Sequence, residues 1–104
     1  MQKIEDFSVY NFALNFFKYF KVQEKLIIAL LKSGKTNILF DCFSKYLDSI
    51  FINIKDKTEI QFDQYNISFI AGGLYKTLIQ WLSNGAIENE NDMAEKINQI
   101  ISRL

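Results

Sequence analysis

Apolar residues recur at spacings of three and four along most of the chain, and five segments carry that pattern. In the first, from about Asp6 to Phe20, residues Phe7, Tyr10, Leu14 and Phe17 fall on one face. Phe12, Phe16 and Tyr19 lie outside that stripe, so this helix is expected to be covered on two sides. The second, "QEKLIIALLK", points Leu26, Ile27, Leu30 and Leu31 inward, and Gly34 suits the position just past its end. The third follows Thr36-Asn37, either of which can cap it, and presents Leu39, Cys42, Phe43, Tyr46, Leu47, Ile50 and Phe51. Its wet side carries Asp41 and Lys45 in favourable i,i+4 order. "NIKDKTE" then reads as a polar connection.

The fourth segment starts near Phe62 and stops at Asn84-Gly85, an ending built for a left-handed residue. At 100° per residue, Ile67, Ile70, Ala71, Leu74, Tyr75, Leu78, Ile79, Trp81 and Leu82 cover about half its circumference, and Tyr65, Phe69 and Gly72 widen the band further. Two adjacent glycines, Gly72 and Gly73, interrupt it, each at a cost of about 1 kcal/mol relative to alanine. Missing side chains are useful where another helix approaches closely. The fifth segment follows Asn89, a good N-cap, with Glu90 and Asp92 in the first turn where the helix dipole favours acids. Its stripe is Met93, Ile97, Ile100, Ile101 and Leu104. "FINI", residues 51–54, has strand character but no partner to pair with, and no proline interrupts the chain. The expected class is all-α, a bundle of about five helices.

Composition sharpens this picture. At 104 residues the chain is expected to be one domain, and 49% hydrophobic with 15% aromatic content excludes a disordered tail. Ten Phe and five Tyr supply more apolar area than a small monomer needs, so a partner surface or a cavity is expected to absorb the excess. Twelve basic and twelve acidic residues balance, and the scattered lysines leave no basic face for nucleic acid. The lone Cys42 permits no intrachain disulfide, and Asn11, Asn15 and Lys18 break the most apolar run. A cytoplasmic protein with no membrane contact is expected.

Candidate chemistry is sparse. "ALLKSGKT", residues 29–36, fits the loose pattern of a phosphate-binding loop. Such a loop needs turn-forming residues, whereas Leu30 and Leu31 continue the helical stripe of Leu26 and Ile27. "NILFD" also follows at once, leaving no room for the helix that should carry phosphate. The helix–loop–helix reading is preferred. With no histidine there is no serine–histidine or cysteine–histidine nucleophile and no histidine metal site. Glu59 and Asp63 read as a solvated helix start, and Cys42 as a buried inert thiol. No enzyme activity, metal or cofactor is expected.

A resemblance adds to this reading. "FIAGGLYKTLIQWLSNGAIENENDMAEKINQII" resembles the last two helices of the C-terminal regulatory domain of TetR-family transcriptional regulators, most of all the branch that includes dihydroxyacetone kinase regulators. The shared pattern is an aromatic residue, a small-Gly-Gly step, Trp81-Leu82, Asn84-Gly85, an acidic connection and Met93-Ala94-Glu95. The preceding helices match more loosely, and Asn89-Glu90 stands where the branch usually has Thr/Ser-Pro. Residues 16–30 also look like the end of the DNA-binding domain of such repressors, but "DFSVYNFALN" before them lacks the turn glycine of a helix-turn-helix.

The resemblance implies a ligand-sensing and dimerisation domain whose last two helices form a four-helix interface with a second copy. Residues 1–104 would be that domain alone, touching DNA only through a helix-turn-helix domain that this chain lacks. The interface is expected at Phe69, Gly72, Gly73, Lys76, Ile79, Met93, Ile97 and Ile100. A small-molecule cavity among the first, third and fourth helices would be lined by Phe17, Cys42, Phe43, Tyr46 and Ile70, which are equally the residues of a filled core. The effector would be a small molecule of apolar or mixed polarity, or a protein. The alternative is a helical interaction module with no effector.

Overall fold

The computed structural model describes residues 8–57 and 63–103, with side chains over 8–50 and 63–103. It contains five helices, α1 (Val9–Val22), α2 (Glu24–Lys32), α3 (Thr36–Lys57), α4 (Gln64–Ser83) and α5 (Glu90–Ser102), with no strand among the described residues. The all-α bundle expected from the apolar periodicity is therefore what forms.

Local chemistry sets most helix ends. Ser8 caps α1 by accepting from the Asn11 amide, and Asn89 caps α5 through the Asp92 amide. Asp63 and Asn66 form a reciprocal capping box at α4, so Asp63 is a solvated helix start as expected, while Glu59 and Phe62 lie outside the described residues. Both α2 and α4 end in Schellman motifs. Lys35 N–H reaches Leu30 C=O and Gly34 N–H reaches Leu31 C=O, with Gly34 at φ +74°. Ala86 to Trp81 and Gly85 to Leu82 repeat the arrangement, with Gly85 at φ +91°. The segment resembling a phosphate loop is thus a helix end followed at once by α3.

Three expectations need correction. Helix α3 begins at Thr36, so Thr36 and Asn37 lie inside it rather than capping it, and it runs on to Lys57 through "FINI" and much of the presumed connection. Nothing between 51 and 57 is a glycine or proline, so the helix has no local reason to stop. Leu26 is 57% exposed while Ile27 is buried, so the inward face of α2 is narrower than four residues. Asp41 and Lys45 form no ion pair; the described residues form one, Lys21 to Glu24 at 3.1 Å.

The core centres on α1. Ala13, Phe16, Phe17 and Phe20 are buried, whereas Tyr10 and Leu14 are half-buried and Phe7 lies outside the described residues. The inward face is therefore rotated from the expected stripe, and α1 is covered on two sides. On one, its backbone runs close beside α5, where the fully buried Ala13 and Ala94 are short enough to let axes approach. On the other, Phe16 packs against Phe43 and Tyr46 of α3 at ring-centroid distances of 5.7 and 6.1 Å. Phe17 meets Trp81 of α4 edge-on at 5.2 Å, and Trp81 Nε1 donates to Glu88 C=O at 2.9 Å, fastening the loop between α4 and α5.

Replacing Phe16 with alanine should cost about 3–5 kcal/mol of stability, as for other buried phenylalanines. Leu26→Ala should cost well under 1 kcal/mol because that side chain is already in water. Urea midpoints of the two variants check the assignment, and equal losses would mean the inward faces are misassigned.

Candidate functional site

Helix α4 flanks two openings, and its glycine pair stands between them. Consecutive residues on a helix point about 100° apart, so Gly72 and Gly73 face different neighbours. A Cβ built at either position would meet nothing within 4 Å, so no other described part of the chain uses the space they leave. Among the described residues the glycines accommodate no close contact.

Gly73 lies in a groove of about 220 Å³ between α4 and α5. Phe69, Ile70, Leu74 and Thr77 form one wall, and Ile97, Ile100 and Ile101 form the other. The lining is apolar apart from Thr77. Phe69 is 70% exposed and Ile100 56% exposed, an unusual state for large apolar side chains on facing helices.

Gly72 lies in a cleft of about 230 Å³ between α3 and α4. Phe40, Ser44, Leu47 and Asp48 line it from α3, and Ile67, Ser68 and Ala71 from α4. Phe40, Ser44 and Asp48 form a stripe at intervals of four alongside the buried stripe Leu39–Phe43–Leu47. Sequence reasoning missed this stripe because it is neither apolar nor fully polar. The regular spacing of four was the signal that could have found it.

Of the residues expected to line a cavity, Phe17, Phe43 and Tyr46 gather around Phe16, while Cys42 and Ile70 lie apart from them. Phe17 and Phe43 are completely buried and joined through Phe16 in the ring cluster. Tyr46 is half-buried at the edge of that cluster, stacked on Tyr19 at 4.6 Å. Ile70 is on the α4–α5 groove instead. Cys42 is exposed, which corrects the expectation of a buried thiol: the inward stripe of α3 is Leu39, Phe43 and Leu47, and Cys42 falls beyond its edge.

Of the expected interface residues, Phe69, Gly73, Ile97 and Ile100 gather around the α4–α5 groove. Gly72 opens into the other cleft, Lys76 is exposed and Ile79 is half-buried. Met93 and Ile97 are nearly fully buried by their own chain, because α5 spends its inward stripe packing beside α1. Leu104, expected on the apolar stripe of α5, lies outside the described residues.

Two tyrosines titrate abnormally. Burial pushes the Tyr46 phenol above its ordinary value of 10.0, and the neighbouring Tyr19 raises it further; burial alone raises Tyr75. Among the described residues no cluster of acidic or cysteine side chains could hold a metal ion, and no helix is long and apolar enough to cross a membrane.

A TetR-type family described as "Transcriptional regulator C-terminal region" matches residues 8–103, which span all five helices. The chain belongs to this family. No curated protein and no solved structure matches it. The TetR-type regulatory domain expected from the Trp81-Leu82 and Asn84-Gly85 pattern is thereby established at the level of the family. Both features have structural roles here, Trp81 in the core and Gly85 in the helix ending.

Native protein should react with about one equivalent of a water-soluble maleimide per chain at Cys42, without denaturant. Labelling only after unfolding would contradict the exposed position. The raised tyrosines bind their proton more tightly folded than unfolded, so they contribute stability that is complete below pH 10 and is lost as pH rises through their folded values. Tyr46→Phe should therefore flatten the fall of the melting temperature above pH 10 relative to the parent chain.

Proposed function

We propose that the chain is the regulatory and dimerisation domain of a TetR-type transcriptional regulator in the branch that includes dihydroxyacetone kinase regulators. It pairs with a second copy through α4 and α5 and responds to a small-molecule effector. The observation that carries the reading is the exposed apolar groove at Gly73, with Phe69 and Ile100 on its two lips. Removing a Phe or Ile side chain from water contributes roughly 1.5–3 kcal/mol, and a twofold contact does so on both copies. Gly73 leaves room for a neighbouring helix to approach α4 closely. Membership of the regulatory family supports a non-enzymatic, cytoplasmic role, and the pattern from Phe69 to Glu95 supports the branch.

The mechanism follows from population shift. An effector that binds one arrangement of α3, α4 and α5 more tightly than another favours that arrangement, and the spacing of two attached DNA-reading domains changes with it. The chain carries no net positive charge, so DNA contact is assigned to such attached domains.

Light scattering over a dilution series should give twice the chain mass of 12.2 kDa at high concentration. Phe69→Asp and Ile100→Asp should each shift the protein to monomer while leaving the helical circular dichroism intact. A parent chain that stays monomeric at high concentration overturns the interface. Thermal shift against a panel of acidic, basic and neutral small molecules tests sensing, which requires stabilisation that grows with the concentration of at least one of them.

A further inference from the structure

The α3–α4 cleft differs in chemistry from the α4–α5 groove on the other side of the glycine pair. Its walls are apolar at Leu47, Ile67 and Phe40, but one edge carries the Asp48 carboxylate and the hydroxyls of Ser44 and Ser68. None of these three side chains has a hydrogen bond or ion pair. Lys45, one turn before Asp48, does not reach its carboxylate. Among the described residues the cleft thus offers an unpaired carboxylate and two free hydroxyls beside hydrocarbon.

We propose that this cleft binds a small amphipathic cation: a primary ammonium group on a short apolar chain or ring. An ammonium has three donors and no acceptor, which matches one carboxylate and two hydroxyl acceptors. The exposed face of Phe40 adds attraction for a cation, and the hydrocarbon part lies against Leu47 and Ile67. A cavity of roughly 150 Å³ accepts benzene, so the 230 Å³ here has room for a longer chain or a substituted ring. An anion would meet Asp48 with no compensating base among the described lining residues. A side chain at Gly72 would project into this space and narrow it.

The assignment rests on the sensing role proposed above and specifies its ligand class. The full chain, labelled with nitrogen-15, is titrated with hexylamine, hexanol and hexanoate while amide shifts are recorded. Hexylamine should move the amides of Ser44, Asp48, Ser68 and Gly72, with hexanol weaker and hexanoate silent. Asp48→Asn should weaken hexylamine binding about fivefold or more. Gly72→Ala should weaken it too while raising the melting temperature of the free protein, since alanine is the better helix former. A structural role for Gly72 would give the opposite change in melting temperature. No response to millimolar hexylamine, equal responses to hexanol, or unchanged binding by Asp48→Asn overturns the proposal. Stabilisation by neutral or acidic compounds alone also overturns it, yet leaves the sensing role standing. Light scattering on the same samples reports the dimer separately.

Discussion

The arrangement of the helices depends on how α1 meets its neighbours. Towards α5 the buried residues include alanines, and the two backbones run close together. Towards α3 and α4 they are phenylalanines, and contact is made ring to ring at 5–6 Å between centroids rather than backbone to backbone. Side-chain size thus sets the distances between the axes. With α5 drawn in beside α1 and α3 and α4 held off by rings, α4 cannot close tightly on both flanks. The cleft and the groove are the consequence.

That constraint explains why the glycine pair is tolerated. In a helix packed on every side, Gly72 and Gly73 would each cost stability and leave a void. Here they lie where the bundle is already open, and they enlarge two openings of unlike polarity. The two openings meet at adjacent residues of α4.

The sequence was legible where structure is decided locally. The ends of α2, α4 and α5 follow from Gly34, Gly85 and Asn89, whose backbone or capping preferences do not depend on distant packing. It was least legible in rotational phase. Helix α1 has aromatic residues around most of its circumference, so periodicity alone could not choose Phe16 and Phe20 over Tyr10 and Leu14. Cys42 and Leu26 were misplaced for a related reason. Each is adjacent to a buried position, and a stripe read slightly too wide takes them inside.

The cleft escaped the sequence for a different physical reason. Ser44 and Asp48 look like the wet side of α3, and Ser68 like the wet side of α4; only the mutual register of two helices turns them into one site. Register in turn depends on Phe43 meeting Tyr75 at 5.1 Å, with Phe40 edge-on to the same ring at 5.1 Å. Tyr75 therefore sets the separation at which the stripe Phe40–Ser44–Asp48 faces Ser68 and Gly72. The same ring is half-buried, which raises its phenol, so α4 is held to α3 by a contact that is apolar on its inner side and wet on its outer side. A contact of that kind suits the ligand-responsive helix pair proposed above, because small displacements there expose little of the core.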